Sequence, residues 1–428
     1  MLSASLSQLP SLLALTLLAL STLSTKAAGL FWLVFILIGA THLLWSHRSQ
    51  TSTTLPNLAT TLPNPLHSIA KGWLLVCVFA LVCKSIPHFY WSAPWPERHP
   101  EFRLLLGALG TYWLLRQQRW PHGWHTGIGH GLALACVFAL GLAAIIGSNA
   151  APTNRIPWAA GLSLLSCLLL SWSFMPAHTQ RQSLAWRYCS LLGLTAVMIS
   201  GVRGSYLLAV IWPALWLGLT WQTRALNPRL KPIHLVLQMV LAVSTVTLIT
   251  AWAPAAESPI ERAQLVVQET GHAEPHKPFD PNSSNGARIL LWQAGLNAFL
   301  QHWLLGLGFD GAKHLIQQTA YAYQSDTLFA LGHFHSDYIH TATEFGIFGL
   351  ISFLALGAGM AWMAWRLHGS GHSSTALGML ALLLMNLSTA LSNMNFAHNY
   401  YPTILSISIG LVLLSAQPLS SPRQPIHN

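Results

Sequence analysis

Charge is what this sequence has least of. Charged residues fill 7% of its 428 positions and hydrophobic ones 53%, where an ordinary soluble domain carries roughly 25% charged residues. Such a chain has too little polar surface to present to water, and its natural solvent is a bilayer. Acidic residues are the scarcest, 11 against 21 Lys and Arg, and nine of them lie between Glu257 and Glu344. The net charge of +10 is spread without any Lys/Arg run, so nucleic acid finds no track to follow. No nucleotide-binding loop, internal repeat or DxD-like acidic pair occurs. The five cysteines, Cys77, Cys83, Cys136, Cys167 and Cys189, all sit in or beside apolar runs. That placement excludes a disulfide framework or a CxxC metal motif and reads as small buried hydrophobes.

What is present in abundance is long apolar runs. A helix needs roughly 20 apolar residues to span a bilayer. Segments meeting or approaching this length run about 8–24, 28–46, 70–88, 102–115, 126–148, 157–175, 188–201, 205–221, 234–254, 342–365, 375–393 and 401–415. The fold class expected is therefore all-α integral membrane, with about twelve transmembrane helices. The first run has no Lys or Arg before it and is expected as an uncleaved helix rather than a signal peptide.

With the N-terminus inside, the inner loops hold Arg48, Lys71, Arg116, Arg119, Arg181, Arg187, Arg224, Arg229, Lys231 and Arg366, and the tail holds Arg423. The short outer loops hold mainly Lys26, Arg98, Arg155 and Arg203, with Lys84 and Arg103 near the outer ends of their spans. That asymmetry obeys the positive-inside rule and places both termini in the cytoplasm. Residues 1–254 then carry the first nine spans, 255–341 form one large outer loop, and 342–428 carry the last three spans and a cytoplasmic tail. Within the loop, prolines and the run Asn282-Ser283-Ser284-Asn285-Gly286 precede a helix expected over Ala287 to Trp303. Its Ile289, Trp292, Leu296, Phe299, Leu300 and Trp303 recur at helical spacing and suit a helix lying along the membrane interface.

Three outer-side features could carry chemistry. Arg203, in Ser200-Gly201-Val202-Arg203-Gly204-Ser205, is held at the boundary between two apolar runs. It either snorkels to headgroups or, with flanking glycines that admit backbone N–H groups, binds an anion. Arg288 falls near the positive end of a helix dipole, a poor place for a cation unless an anion lies between; a salt bridge to a loop carboxylate is the other reading. The third is Leu331-Gly332-His333-Phe334-His335-Ser336-Asp337-Tyr338-Ile339-His340, leading to Glu344 and Gly346. Imidazole can accept a proton near neutral pH, but His beside Asp337 could equally bind a metal or be polar residues at an interface.

His335-Ser336, nine residues and then Gly346-x-x-Gly349 resembles the His-[Asn/Ser/Gln]-x9-Gly-x-x-Gly signature of the O-antigen ligase and O-oligosaccharyltransferase superfamily. His302-Trp303-Leu304-Leu305-Gly306-Leu307-Gly308 is similar to that family's "hPllGvG" element, with Trp where Pro is usual. Arg288 resembles the Arg that opens this region, and the Arg203 turn the "SRG" element, with Val202 in place of Ser.

The resemblance implies a GT-C-like membrane glycosyltransferase in a Gram-negative inner membrane, with its active site facing the periplasm. The donor would be an undecaprenyl-diphosphate-linked glycan and the acceptor, for a ligase, a sugar hydroxyl of lipid A–core. His335 would be the general base, with Arg203, Arg288 and Lys84 stabilising the diphosphate. Asp337, Tyr338, His340, His333 and Glu344 are secondary candidates, Asp337 or Glu344 orienting the imidazole. Polymerases of the superfamily typically show two sizeable periplasmic loops, and protein-glycosylating members a longer C-terminal region; both points favour the ligase. A lipid-linked glycan flippase is the alternative of another class, but it would place more charge within the spans. The scattered carboxylates predict chemistry without metal or other cofactor. Glycan transfer is accordingly expected to survive EDTA, and turnover lost in EDTA and restored by Mg²⁺ or Mn²⁺ would refute this.

Overall fold

The computed structural model describes residues 2–49, 65–92, 100–116, 124–175, 178–226 and 279–417, with 240 and 244 as isolated positions. The rest of the expected ninth span (234–254), the first part of the expected loop (255–278) and the tail past 417 lie outside the described residues, as do Arg98, Arg119, Arg229, Lys231 and Arg423.

Among the described residues there is no strand. The first eight helices are α1 (Leu2–Ala19), α2 (Thr25–Ser49), α3 (Pro65–Tyr90), α4 (Pro100–Arg116), α5 (Trp124–Gly141, continued by a π-helical stretch Leu142–Gly147), α6 (Arg155–Trp172), α7 (Gln180–Ile199) and α8 (Leu208–Leu226). The second group is α9 (Ser284–Gln301), α10 (Gly308–Tyr323), α11 (Asp326–Ala330), α12 (Asp337–Gly369), α13 (Ser373–Ser392) and α14 (Tyr400–Ser415). Six stretches are long and apolar enough to cross a membrane: Pro65–Tyr90, Trp124–Gly147, Arg155–Trp172, Arg203–Thr223, Asp337–Gly369 and Ser373–Ser392. Three shorter apolar helices, Ser11–Thr22, Thr25–Thr41 and Tyr400–Ser415, accompany them. Each coincides with an expected span. The run 102–115 lies inside α4 and the run 188–201 is helical to Ile199, the end of α7, without reaching that combination of length and apolarity.

The packing is that of a helical bundle bathed in a non-aqueous solvent. On α3, Trp73, Cys77, Ala80 and Lys84 turn inward, while Leu75, Phe79, Val82 and Ile86 form an exposed apolar stripe at helical spacing. The centre is filled by α6 and α14, which are almost wholly buried and pack on each other. Two of the buried tryptophans satisfy their indole N–H internally. Trp158 donates to the Thr22 carbonyl (2.9 Å) and Trp172 to the His125 carbonyl (3.1 Å).

A second, smaller core sits apart from the bundle. It joins Ala287, Leu290 and Leu291 of α9 to Ala312, Ile316 and Ala320 of α10, with Leu328 and Phe334. The helix expected over 287–303 begins earlier, at Ser284, because the Ser283 hydroxyl caps it by accepting the Gly286 N–H (3.0 Å). Its buried face carries Gly286, Ala287, Leu290, Leu291, Gly295 and Ala298; Gly295 lets it approach Ile339 and Thr343 of α12 closely, and Leu296 and Leu300 point outward.

What ties this lobe to the bundle is a backbone contact. Leu307 N–H donates to the Thr343 carbonyl (2.9 Å), and Ile347 N–H to the Trp303 carbonyl (2.7 Å). The second bond needs a break in α12 at Gly346, whose φ of 62° and ψ of −151° belong to glycine alone. Gly306, at φ +66°, is its counterpart. A Cβ on Gly306 would lie 2.6 Å from the Glu344 carbonyl, and one on Gly346 2.5 Å from the Leu304 oxygen. Alanine at either position adds a left-handed penalty of about 1–2 kcal/mol to that clash. Gly306→Ala and Gly346→Ala should therefore each lower the thermal midpoint in detergent by several degrees, whereas Gly29→Ala, in open space on α2, should not. An unaltered midpoint for Gly306→Ala would show that the contact does not form.

Candidate functional site

Three separate segments bring cations to one cavity of about 110 Å³. Arg155 opens α6, whose N-cap Asn154 accepts the Ile156 N–H (2.9 Å). Arg203 lies in the 3-10 turn Arg203–Ser205, and its Nη1 donates to Asn285 Oδ1 in the first turn of α9 (3.0 Å). Arg288 is one turn further along α9. Gly204 presses that turn against Ser392 and Asn393 at the end of α13, where no side chain would fit. Ser284 and Asn393 complete the polar lining, and among the described residues no Asp or Glu lines the cavity. Two helix N-termini, α6 and α9, thus meet three guanidinium-bearing residues. Partial positive charge at helix starts and full charge on arginine both favour an anion.

The histidine loop is built on the small core. Phe334 is wholly buried there, and its carbonyl accepts the Trp292 indole N–H (2.7 Å). This anchors the chain between His333 and His335, whose rings lie 4.1 Å apart. His335 has φ +52°, a left-handed backbone rare outside glycine, and it is 7% exposed. Strain of this kind persists only where the surroundings impose it, and it gathers at working sites. Its backbone N–H donates to His333 Nδ1 (3.2 Å), which requires His333 to be neutral with its proton on Nε2. His335 Nδ1 is buried without a hydrogen-bond partner. Burial, reinforced by the Arg288 charge, pushes His335 down to about 4. Burial pushes His333 lower, to about 2, with His335, His340, His398 and Arg288 adding to the effect. Arg288 is therefore an electrostatic neighbour of the loop as well as a wall of the cavity.

The remaining sequence candidates have other partners. Glu344 holds His340, Oε2 to Nε2 at 2.6 Å. Asp337 donates its N–H to the Asn393 carbonyl (3.0 Å), and its carboxylate accepts the N–H groups of Asn395 (3.1 Å) and Phe396 (3.2 Å). It pins the α13–α14 connection to the histidine loop. Tyr338 donates to the Leu387 carbonyl (3.3 Å) and packs edge-on against Phe353. Lys84 is buried against Glu101, Nζ to the carboxylate oxygens at 3.0 and 3.1 Å, beneath the Phe345 ring. Its charge is already balanced there. Among the described residues no three His, Cys, Asp or Glu side chains are disposed to hold a metal ion.

Residues 188–354 match the O-antigen ligase family model. The match supports membership of the O-antigen ligase/polymerase superfamily. It covers less than half of the 428 residues, starting inside α7 and ending inside α12. The Arg203 turn, α9, the histidine loop and the Gly346 break all fall within it. No curated protein matches the chain.

Arg155, Asn393 and His398 were not singled out by the sequence. Arg155 was visible as one of few outer cations, but nothing in its spacing links it to Arg203; only the fold does. The lowered histidines have a consequence for stability. Between the ordinary value near 6.5 and their folded values, the unfolded chain takes up protons that the folded one refuses. Above about pH 6.5 both states are neutral and the pair carries no penalty; as the pH drops toward 4 the folded state is progressively destabilised, because the unfolded histidines protonate first. Thermal midpoints read from pH 7.5 to 4.5 should decline less steeply in a His333→Gln/His335→Gln double variant. Parallel curves would contradict the burial of the pair.

Proposed function

We propose that the protein is a glycosyltransferase of the O-antigen ligase type. It moves a glycan from undecaprenyl diphosphate to a sugar hydroxyl of lipid A–core at the periplasmic face of a Gram-negative inner membrane. It crosses that membrane about twelve times, with both termini in the cytoplasm. The observation that carries this reading is the cavity walled by Arg155, Arg203 and Arg288 at two helix N-termini, with Arg288 also acting on a buried, neutral His335.

In this reading a ring nitrogen of His335 takes the proton of the acceptor hydroxyl. The hydroxyl oxygen bonds to the anomeric carbon of the donor glycan, and the bond from that carbon to the diphosphate oxygen breaks. Its electron pair leaves with undecaprenyl diphosphate, where the arginines and helix N-termini meet the charge as it develops. Attack opposite the leaving group inverts the anomeric centre. At neutral pH His335 is unprotonated, as a base must be before it acts, although a value near 4 makes it a weaker proton acceptor than an ordinary imidazole. Lys84, paired with Glu101, contributes through the packing of α3, α4 and Phe345 rather than by direct contact with the diphosphate. Glu344 steadies His340, and Asp337 fixes the loop.

Purified protein with undecaprenyl-diphosphate-linked polysaccharide and lipid A–core tests the proposal. His335→Ala should cost roughly 10²–10⁴-fold in kcat. Arg155→Ala, Arg203→Ala and Arg288→Ala should each cost on the order of 10²–10³-fold. The acid limb of kcat/KM should lie near pH 4, where free-enzyme His335 titrates. Full activity of His335→Ala would remove it as the base. A wild type that transfers only to a second glycan chain or to protein would keep the superfamily and replace the acceptor.

A further inference from the structure

A second cavity, of about 250 Å³, opens where the end of α3 meets the Trp303–Leu307 segment. It is lined by Tyr90, Trp91 and Trp303 beside Gln301, His302, Leu304, Leu305 and Gly306, and among the described residues no Lys, Arg, Asp or Glu takes part. We propose that this cavity binds a neutral pyranose ring of the acceptor.

A pyranose presents a face of C–H bonds and a rim of hydroxyls. Aromatic rings suit the face, and a few polar groups that donate and accept suit the rim. The platform is formed before any ligand arrives. Trp91 donates its indole N–H to the Leu305 carbonyl (3.1 Å), and the Tyr90 ring stands at 89° to it, 5.0 Å away. The backbone of Gly308 lies against the Trp91 ring, where a Cβ would come within 2.7 Å of it. With its N–H occupied, Trp91 offers ring surface, while Tyr90 (64% exposed) and Trp303 (56% exposed) remain open.

Other occupants fit less well. A diphosphate or anionic headgroup would meet no cation here among the described residues. An acyl chain would strand Gln301 and His302, and the cavity is smaller than the roughly 300–1,000 Å³ typical of drug-sized ligands. Exposed Tyr and Trp can also serve as interfacial anchors, but anchoring needs neither the polar lining nor the tied indole. Position adds to the case. The backbone from Trp303 to Leu307 is the segment bonded to α12 at Thr343 and Ile347. Glu344, between those two bonds, pairs with His340 one turn earlier on the same helix, whose first turn follows directly on His335 and Ser336. A sugar held here is fixed to the same rigid unit as His335, so its orientation toward the base is set by backbone hydrogen bonds.

That the sugar is an acceptor rests on the transferase reading; that the cavity binds a sugar does not. The experiment therefore has two arms on the full-length protein in nanodiscs. In the first, saturation-transfer NMR with methyl β-glucoside and methyl β-galactoside should show transfer to the C–H face. Tyr90→Ala and Trp303→Ala should reduce it at least severalfold, and Tyr321→Ala, an exposed aromatic elsewhere, should not. In the second, acceptor KM in the transfer assay should rise about tenfold in the same two variants with donor KM unchanged. Gln301→Glu, which leaves the packing in place, should raise acceptor KM as well. Sugar signals equal in wild type and both variants would overturn the proposal. So would an unchanged acceptor KM alongside reduced nanodisc incorporation, the signature of interfacial anchors. Sugar binding lost in the variants, with no transfer by wild type, would uphold the cavity and bring down the ligase reading alone.

Discussion

Two stretches of backbone cross at Gly306 and Gly346 with no space between them for a side chain, and the geometry of the site hangs on that crossing. One stretch follows α9 and the other interrupts α12, so a loop lobe and a membrane-length helix are joined by main-chain hydrogen bonds. Main-chain bonds cannot be released by a rotamer change, and an unpaired buried amide is costly. The lobe is thereby held at a fixed angle to the bundle. The histidine loop, seated on the lobe's own small core through Phe334, inherits that angle.

Electrostatics then divides the outer surface. Arginines from three segments converge without a carboxylate among the described cavity walls, an arrangement whose mutual repulsion is relieved by an anion. Three described carboxylates have their own partners: Glu101 with Lys84, Glu344 with His340, Asp337 with two backbone amides. The cavity is therefore basic in character, and His335 is kept neutral first by burial and then by the Arg288 charge. The aromatic cavity, free of charged residues among those described, is the complement of the basic one.

Membrane character was legible in composition, since apolar runs of helical length have few other uses. The histidine loop and the glycine pair were legible as spaced residues, and the structure supplies the reason for their spacing: Gly346 is where Trp303 and Ile347 meet. The convergence of Arg155 on Arg203 was not legible, because it arises from α6 and α8 packing side by side rather than from local periodicity. The function of Asp337 was similarly hidden. Its neighbours in sequence are histidines, yet its carboxylate is turned to amides some sixty residues on. On α9 the spaced apolar residues point to an interfacial face, and Leu296, Leu300 and Trp303 of that set are exposed, while the face that packs combines Leu290 and Leu291 with small residues the periodicity does not mark.

Asp337 also bears on modularity. The segment matching the family ends at residue 354, but Asp337 is bonded to Asn393, Asn395 and Phe396, and His398 lies close enough to act on His333. Arg155 likewise lies ahead of the match. A chimera made by grafting 188–354 onto another scaffold would carry the histidine, two of the three arginines and the glycine crossing. It would leave behind the acceptors and donors that tie down the first turn of α12, so the natural unit of exchange is the whole outer face rather than the stretch of chain that advertises it.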